Sequence, residues 1–495
     1  MQIRLENIGI IKDSTIVLDG LTVITGKNNS GKTTVGKTLY AILDAVCNLQ
    51  QKAKNDRRYY IRKQLYNVEN SLDFFRYIYR YTRRAEQQSK LFEDHPILEA
   101  FLDSDYLSDY SVDDIEKFAH ELAAELASCD VSIISKDKAS QESLLYKRLS
   151  SIIGKREDDS IESMLDSERN SALAMLGQLF IDLEKDMGLV DYARESINQT
   201  LRIEFSNQIQ PVGNLTPYSK IKLMNGDSVC FDVVLADNSV VNDGTPVFMS
   251  SPFKKVYLVD DPFVMDDISN EKDDVLKLNK IYFKIEKTET ETILNSNRIR
   301  LHNDKLKTVL RKSDLSVFEQ TVLDDSLKTA KARIDNIIPG AFEFTSEGAY
   351  YIQNGMKLRI SNLATGSKMF SIIKMLLEKG ELDSKTMLIL DEPEAHLHPK
   401  WQNAFAEIIV LLVEELGVNI LLTTHSPNFM LALDAYMRKY AIVNITNFYQ
   451  TEFLNDNFVH YKCVNNDMGK IYQDFLQYLS EVKMLRKEYL SNDGE

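Results

Sequence analysis

The chain has 495 residues, of which 44% are hydrophobic and 27% are charged, as is typical of soluble globular proteins. This length exceeds what one hydrophobic core usually serves, so we expect roughly two or three structural lobes. The formal net charge of −15 argues against a protein that binds nucleic acid over its whole surface. No apolar run approaches the roughly 20 residues of a membrane span, and the N-terminus lacks the apolar core of a secretory signal. We therefore expect no membrane partner, and the four cysteines, which are far apart without a C-x-x-C pair, indicate free thiols in a reducing cytoplasm.

The first predicted elements are short strands that lead into a glycine-rich loop and a helix. The segment 21–25, LTVIT, is rich in β-branched residues, which favours a buried strand. From residue 32 to Val46, apolar residues recur at helical spacing. Between these two segments, Gly26 to Thr33 matches the pattern G-x-x-x-x-G-K-T of a phosphate-binding P-loop. A strand before the loop and a helix after it distinguish a working P-loop from a chance match.

The predicted P-loop supplies three kinds of group for a nucleoside triphosphate. The backbone N–H groups of the loop and the positive end of the following helix bind phosphate oxygens. Lys32 is expected to reach the β- and γ-phosphates, and the Thr33 hydroxyl is expected to bind Mg²⁺. ATP and Mg²⁺ are therefore the predicted cofactors. The predicted nucleotide-binding residues of the loop are Gly26, Lys27, Asn28, Asn29, Ser30, Gly31, Lys32, Thr33 and Thr34.

Beyond the loop, the hydrophobic pattern changes several times along the chain. It is mostly helical up to residue 198, and it then alternates as in strands up to residue 262, with LRIEFSNQIQPV (201–212) as the first of these segments. A charged helical stretch separates this region from a second set of short strands. The dipeptides Asn225-Gly226 and Asn354-Gly355 indicate two β-hairpins. After the second hairpin, helix and strand alternate, as in a parallel sheet.

One part of the predicted helical region, residues 51–90, is strongly basic and carries tyrosines and phenylalanines between its charges. Basic residues interleaved with aromatic residues could bind phosphates and stack on bases. The alternative, which we favour, is an amphipathic helix whose basic positions face solvent or pair with the acidic segment 92–118. The candidates for DNA contact under the first interpretation are Arg57, Arg58, Arg83 and Arg84.

The second half of the predicted site lies in the last third of the chain, where two apolar strands end in polar residues. The strand MLILDE ends in two acids, which a buried strand does not normally do unless the carboxylates meet a cation or activate water. Asp391 is therefore the predicted Mg²⁺ residue, and Glu392 is expected to orient and deprotonate the attacking water. The strand VNILLTTHS ends at His425, which is expected to contact the γ-phosphate or the same water. The predicted catalytic residues are Glu392 and His425.

These motifs, in this order, resemble the ATP-binding head of the ABC-type ATPases. The segments LILDEPEAHLHP and LLTTHSP resemble more narrowly the branch shared by the overcoming-lysogenization-defect (OLD) ATPases and the SMC-related repair ATPases. The resemblance implies an α/β fold, an ABC-type P-loop ATPase head with a mixed β lobe and a large α-helical insertion. The implied division is 1–48 as the first part of the head, 49–198 as the helical insertion, 199–267 as a β-rich part of the head, 268–339 as a helical segment, 340–445 as the last part of the head and 446–495 as a helical tail.

The resemblance also implies that each ATP site is composite, with ATP held between the P-loop of one protomer and the signature loop of another. The matching segment is NLATGSK, and the implied nucleotide contacts come from Thr365, Gly366 and Ser367. Ala364 stands where the family pattern has a serine, and this departure points to slow hydrolysis. The chain is accordingly expected to form a homodimer or a higher homo-oligomer through these sites.

Several single residues take expected roles from the resemblance. A Q-loop glutamine is expected near the end of a strand after the P-loop, and Gln208 is the predicted residue, with Gln210 as the alternative. His396 lies in the segment that matches the D-loop and is expected to face the partner protomer. A metal site at His396 and His398 is the less favoured alternative. Trp401 is expected in core or interface packing.

No nuclease centre is predicted in this chain, because about 55 residues follow Tyr440 and they contain no D-x-D pair for catalytic metals. ATPases of this type resemble the ATPase subunits of anti-phage systems such as Septu, PARIS and certain retrons, in which a separately encoded nuclease or toxin is controlled. The first hypothesis is therefore a cytoplasmic sensor and scaffold ATPase with an effector partner. The second is an SMC-related ATPase for DNA repair or DNA-end processing that binds DNA through residues 51–90. A transporter subunit is disfavoured, because the insertion is too long.

Overall fold

A computed structural model describes the chain as two compact units. It describes residues 1–84, 92, 94–102, 111–132, 161–185, 188–211, 218–241, 251–268, 301–311, 328–345, 348–454, 458–465, 467, 469 and 480–486, except for the side chains of 81–84, 161 and 328. The first unit holds residues 1–49 and the described residues from 190 onward, and the second holds the described residues from 50 to 189. None of the described helices is long and apolar enough to cross a membrane.

The described strands belong to the first unit and form two sheets. They are β1 Gln2–Ile8, β2 Ile11–Val17, β3 Leu21–Thr25, β4 Ser219–Asn225, β5 Ser228–Ala236, β6 Ser239–Val240, β7 Lys255–Val259, β8 Ala341–Thr345, β9 Gly348–Gln353, β10 Met356–Arg359, β11 Thr386–Asp391, β12 Asn419–Thr424, β13 Thr446–Phe453 and β14 Val459–Cys463. The large sheet has 11 strands in the order β6-β5-β4-β1-β2-β14-β13-β3-β12-β11-β7. The small sheet has the order β10-β9-β8. Both hairpins predicted at Asn-Gly dipeptides are confirmed, as β4–β5 and β9–β10.

The described helices lie in both units. They are α1 Lys32–Val46, α2 Leu49–Ser71, α3 Asp73–Arg84, α4 Pro96–Leu102, α5 Val112–Ser128, α6 Ile161–Leu183, α7 Leu189–Glu204, α8 Val264–Ile268, α9 His302–Leu310, α10 Lys328–Ile337, α11 Thr365–Glu378, α12 Pro399–Leu416 and α13 Pro427–Lys439. The predicted helical segment 268–339 contains α9 and α10, and its residues 269–300 and 312–327 lie outside the described residues.

The centre of the large sheet positions the predicted site. Strands β7, β11, β12, β3 and β13 run parallel to their neighbours in this region. The carboxyl ends of parallel strands meet at one edge of a sheet, where open α/β folds bind ligands. The P-loop after β3, Asp391 at the end of β11 and His425 after β12 therefore lie at the same edge.

Side chains alternate between the two faces of this sheet, and both faces are buried. On β11, Met387 and Ile389 belong to the core that includes α1, whereas Leu388 and Leu390 belong to the core that includes α11 and α12. A strand buried on both faces has a nearly continuous apolar sequence, as MLIL has. This packing on both faces fixes the strand ends that carry the polar residues.

Two sequence predictions about elements are wrong. Residues 199–204 form the last turns of α7 and not a strand, because the buried residues Ala193, Ile197 and Leu201 recur every four residues, as on one face of a helix. Residues 446–453 and 459–463, where a helical tail is predicted, form strands β13 and β14 of the large sheet. Thr446, Phe448 and Tyr449 pack there. From residue 466 on, the predicted tail helix is described only at 467, 469 and 480–486.

The second unit, residues 50–189, is helical throughout its described part. Ile61, Leu65, Val68 and Leu72 form one fully buried stripe on α2 and the turn after it. The opposing helix α5 begins with a capping box, in which the Ser111 hydroxyl accepts a hydrogen bond from the backbone N–H of residue 114 at 3.2 Å. This unit has its own hydrophobic core, distinct from the cores of the sheet.

Candidate functional site

The P-loop connects the end of β3 to the start of α1. Asn29 and Gly31 adopt left-handed backbone conformations, with φ of 58° and 77°, which turn the chain tightly before the helix. Lys32 is 5% exposed, and its Nζ donates to Gly26 O at 3.1 Å and to Lys27 O at 3.0 Å. The predicted phosphate-binding lysine thus lies over its own loop, at the N-terminal end of α1.

The C-terminal strands β13 and β14 support this loop, a feature that sequence reasoning missed. The Tyr461 hydroxyl of β14 is buried and donates to Ser30 O at 2.9 Å. Thr451 of β13 lies directly against Gly26, where an added Cβ would be 1.8 Å from Thr451 Oγ1. Glycine at the first loop position is therefore required by this packing.

Asp391 joins the loop to the sheet. Its two carboxylate oxygens accept hydrogen bonds from the Thr33 hydroxyl, at 2.6 Å, and from the Thr423 hydroxyl of β12. Burial raises the pKa of Asp391; the two hydroxyl hydrogen bonds oppose this rise, and the negative charges of Glu392 and Asp260 add to it. A threonine hydroxyl beside a half-buried carboxylate is a donor set of the oxygen type that Mg²⁺ prefers. The predicted metal residues Thr33 and Asp391 are thus adjacent and fit such an ion.

Glu392 is the centre of the predicted catalytic group. Its backbone has φ of 48°, uncommon for a residue with a side chain, and its N–H donates to the main-chain and side-chain oxygens of Thr423 at 3.2 and 3.0 Å. Its Oε1 lies 3.5 Å from Lys32 Nζ and 3.2 Å from His425 Nδ1. The structure therefore brings the two predicted catalytic residues and the P-loop lysine together around one carboxylate.

Glu394 is a second site residue that sequence reasoning did not assign. It is 1% exposed, and it accepts hydrogen bonds from the Thr424 hydroxyl and from the backbone N–H of His425, the latter at 3.3 Å. Burial raises its pKa. Glu394 thereby fixes the backbone that carries His425. The signal in the sequence is the third acid of DEPE, which comes too soon after a buried strand to be an ordinary surface residue.

The signature residues Thr365, Gly366 and Ser367 form the start of α11, and Ala364 precedes them without a side-chain cap. A Cβ at Gly366 would lie 3.2 Å from His396 O, so the signature loop packs closely on the predicted D-loop of the same chain. Whether these residues contact a partner's nucleotide stays a prediction.

The predicted Q-loop residue Gln208 does not follow a strand. Gln208 is exposed and lies just after α7. The carbonyl of its neighbour Ile209 accepts a hydrogen bond from the N–H of Gly9, which lies beside α1, at 2.9 Å. Gln210 binds the backbone of Asn238 and is not aimed at the loop. The expectation that Gln208 follows a strand is wrong, because the residues before it form the end of α7, and a nucleotide contact of Gln208 stays a prediction. On the side away from β12, β11 adjoins β7, and the residue after β7 is Asp260.

A cleft of about 230 Å³ opens at this edge of the sheet. It is lined by Asp260, Asp391, Glu392, Thr365 and His396, together with apolar neighbours. Asp260 is a functional candidate that the sequence could have supplied, because KKVYLVDD is an apolar strand that ends in two acids, like MLILDE.

The remaining histidines of the predicted D-loop do not form a metal site. His398 caps α12 by accepting the Lys400 N–H at 3.3 Å, and His396 is exposed with its ring edge-to-face on Phe263. Among the residues that the structure describes, no group of three or more His, Cys, Asp or Glu side chains is arranged to hold a metal. Trp401 packs against Phe370 in the core, as expected.

In the second unit, the basic segment is engaged in part by acidic partners. Arg57 forms an ion pair with Glu116 at 2.6 Å and donates to Leu183 O. This pairing with α5 agrees with the favoured interpretation of a basic helix beside an acidic segment. The side chains of Arg83 and Arg84 lie outside the described residues.

The fold and the site together define a P-loop ATPase, in which a strand-loop-helix unit, a strand ending in Asp-Glu and a strand ending before histidine converge at one sheet edge. The chain belongs to the AAA ATPase domain family, which matches residues 1–430. A curated relative, the "Retron Vc95 probable ATPase" of Vibrio cholerae serotype O1 biovar El Tor, is 26% identical over 178 residues, 33% of this chain and 34% of the relative. The chain thus matches about a third of the length of that relative.

Solved structures that align with the chain include heads of SMC proteins. The SMC head domain from Thermotoga maritima aligns with 94% of this chain and 98% of its own, at 10% identity and a TM-score of 0.34. The Smc head domain with a coiled coil and joint derived from Pyrococcus yayanosii aligns with 97% and 99%, at 13% identity and a TM-score of 0.33.

Proposed function

We propose that this chain binds Mg²⁺·ATP at the edge formed by β3, β11 and β12 and hydrolyses its γ-phosphate. The observation that carries the proposal is the convergence of Lys32, Glu392 and His425. Glu392 Oε1 lies 3.5 Å from Lys32 Nζ and 3.2 Å from His425 Nδ1. Bound Mg²⁺ would neutralise phosphate charge, held by Thr33 and Asp391.

The chemistry of this site assigns a task to each side chain. Glu392 takes a proton from water, the water oxygen attacks the γ-phosphorus, and the bond to the β–γ bridging oxygen breaks, leaving ADP and phosphate. Lys32 leaves its loop carbonyls and contacts the phosphates. His425 lies beside Glu392 and orients the same water or the γ-phosphate. Glu394 holds the backbone of His425 in this place.

We further propose that two copies of the chain form composite sites, in which the segment 365–367 of one copy covers the nucleotide of the other. Ala364, which directly precedes this segment, is exposed. The first N–H groups of α11 have no partner within the helix and are suited to bind a phosphate. The test mixes two inactive variants, Lys32→Ala and Ala364→Glu. The acidic side chain would repel the partner's phosphates.

A mixture of these two variants should regain activity that neither has alone. In a symmetric dimer with random pairing, half the dimers are mixed and each holds one intact site, so about a quarter of wild-type activity is expected. Recovery of that size supports the composite site. A mixture that stays inactive, or an Ala364→Glu variant with full activity alone, contradicts it.

At the level of the cell, we propose that the ATPase is the sensor and scaffold subunit of an anti-phage system and controls a separately encoded effector, a nuclease or toxin. The support is the resemblance of DEPEAHLHP to OLD-type ATPases and the name of the retron-associated relative. The test is plaque formation on a host that expresses the chain with its neighbouring genes, beside Lys32→Ala. Protection that Lys32→Ala abolishes supports defence. DNA-stimulated hydrolysis without protection supports the DNA-repair alternative instead.

A further inference from the structure

A histidine is buried between two carboxylates close to the nucleotide site. The side chain of His302, at the start of α9, is 3% exposed. Its Nδ1 lies 2.7 Å from Glu204 Oε2 and its Nε2 lies 2.8 Å from Asp260 Oδ1. The His302 backbone N–H also donates to Glu204 Oε1 at 2.8 Å. Three separate elements, α7, β7 and α9, therefore meet at one imidazole ring.

The register of the sheet places Asp260 beside Asp391. Strands β7 and β11 pair in parallel with Val259 opposite Leu390, so the next residues, Asp260 and Asp391, are opposite each other. Paired strands are about 4.8 Å apart, and side chains at paired positions lie on the same face. Both carboxylates line the cleft at the sheet edge, together with Glu392. Two acids on neighbouring strand ends thus face one small volume.

His302 binds the carboxyl groups of both Glu204 and Asp260. Burial alone would raise the pKa of Asp260, but the hydrogen bond and charge of His302 outweigh it, and the pKa is lowered. Burial alone would lower the pKa of His302, but Asp260 and Glu204 outweigh it and raise the pKa to about 9. The histidine is therefore a cation that donates to both carboxylates. Asp260 is thus held by His302 through Oδ1 and lines the cleft together with Asp391.

We propose that Asp260 is a second carboxylate for the Mg²⁺ of the bound nucleotide, and that His302 and Glu204 are positioning residues that hold it at the sheet edge. The inference rests on the proposed ATP site. Mg²⁺ in nucleotide sites commonly takes one or two protein carboxylates, directly or through water, besides phosphate oxygens. Partners that orient such a ligand are worth about tenfold to a hundredfold in metal affinity. Burying the charged groups of Glu204, His302 and Asp260 costs desolvation free energy. Holding a ligand of the Mg²⁺ ion gives this cluster a function.

A second carboxylate has opposite effects on the two forms of the nucleotide. It attracts Mg²⁺·ATP through the metal, whereas it repels free ATP through the phosphate charges. Asp260→Asn should therefore weaken the binding of Mg²⁺·ATP and strengthen the binding of ATP in EDTA. A purely structural defect weakens both. The direction of the two changes, and not their size alone, separates a ligand role from a packing role.

The experiment measures the dissociation constant of a fluorescent, non-hydrolysable ATP analogue in excess Mg²⁺ and in EDTA. The ratio of the two constants is the readout. The matched control is Asp261→Asn, which removes the same charge one residue further on, where Asp261 Oδ1 accepts the Phe263 N–H at 2.8 Å. His302→Gln is the second variant, because it leaves both carboxylates in place and removes the cation that orients them. It also keeps the test available if Asp260→Asn does not fold.

The proposal expects the dissociation constant in EDTA divided by that in excess Mg²⁺ to fall about tenfold or more in Asp260→Asn, to fall in the same direction in His302→Gln, and to stay at the wild-type value in Asp261→Asn. An unchanged ratio in Asp260→Asn, or equal changes in Asp260→Asn and Asp261→Asn, overturns it. An unchanged ratio in His302→Gln overturns the positioning role. If the wild type itself shows no Mg²⁺ dependence, the proposed Mg²⁺·ATP site fails as well. A wild-type dependence that Asp260→Asn retains refutes this inference alone.

Discussion

A single methyl group at Gly26 should disable the P-loop of this chain, because Thr451 fills the space where it would lie. The φ of Gly26 is not positive, so its backbone conformation alone does not forbid alanine. The obstacle is contact: an added Cβ would lie 1.8 Å from Thr451 Oγ1 and 2.8 Å from its Cβ and Cγ2. Ordinary contact begins at 3.4 Å, so the Thr451 side chain must rotate and either the loop or strand β13 must also shift to make room.

The size of the effect follows from what the loop binds. Overpacking of this kind costs about 1–3 kcal/mol of stability. Each hydrogen bond from a loop N–H to a charged phosphate is worth about 1.5–3 kcal/mol. Losing one such bond lowers ATP affinity by about tenfold to a hundredfold. Gly26→Ala is therefore expected to fold with reduced stability and to bind ATP at least about tenfold more weakly than the wild type.

The assay is ATP-analogue binding to Gly26→Ala, Thr451→Gly and the double variant. Thr451→Gly removes all three atoms in the way, so the double variant should bind the nucleotide as Thr451→Gly alone does. Gly177→Ala, on α6, is the matched control, since no atom lies within 4 Å of an added Cβ there. Wild-type affinity in Gly26→Ala, or a double variant that binds no better than Gly26→Ala, would refute the reasoning.

Three further predictions concern stability and charge. Burial alone would raise the pKa of Glu407, but hydrogen bonds from Lys439 and two other side chains lower it below 4.5. The stabilising contribution of Glu407 is therefore present above pH 4.5 and is lost as the pH falls below that value. Glu407→Gln should lower the free energy of unfolding by about 2 kcal/mol at pH 7 and should weaken its dependence on pH in the acid range of a denaturation series. Tyr461→Phe leaves the Ser30 carbonyl of the loop without its buried donor, so it should lower the free energy of unfolding by about 1 kcal/mol in chemical denaturation and weaken ATP binding. An unchanged denaturation midpoint would show that the hydroxyl does not hold the loop. Arg57→Glu should lower the free energy of unfolding by less than about 1 kcal/mol, and adding Glu116→Arg to the same chain should recover that loss. DNA affinity in filter binding should stay unchanged. A loss of DNA affinity would instead support the DNA-contact interpretation.

The residues that carry the proposed chemistry could be predicted from sequence because each follows an apolar strand within a few positions. Lys32 comes after LTVIT and glycine, Glu392 ends MLILDE, and His425 follows a second apolar strand. Parallel strands bring their carboxyl ends to one edge, so the order of these segments was enough to expect them together. Glu394 and Asp260 carry the same signal, an acid at the end of a buried strand, and could have been found by the same reasoning.

The supports of the site could not be predicted, because they are contacts over long separations along the chain. Tyr461 lies 431 residues from the Ser30 carbonyl that it binds, and nothing in its local sequence indicates that contact. The strand around Phe448 was predicted as part of a helical tail, although Thr446–Phe453 pairs in register with β3. The position of Gln208 depended on a predicted strand that is the end of a helix. For Tyr461 and β13 tertiary packing, and not local pattern, decided the structure, whereas the helical spacing of Ala193, Ile197 and Leu201 was already present in the sequence.

The most direct test of the central claim is steady-state ATP hydrolysis by the wild type and by Glu392→Gln, with the oligomeric mass recorded with and without ATP. Glu414→Gln, an exposed position on α12, is the matched control. The account predicts Mg²⁺-dependent hydrolysis by the wild type and by Glu414→Gln. It predicts no turnover by Glu392→Gln, with an ATP-dependent increase in mass to a dimer or larger assembly. Hydrolysis by Glu392→Gln at the wild-type rate would contradict the role of this carboxylate and with it the proposed mechanism.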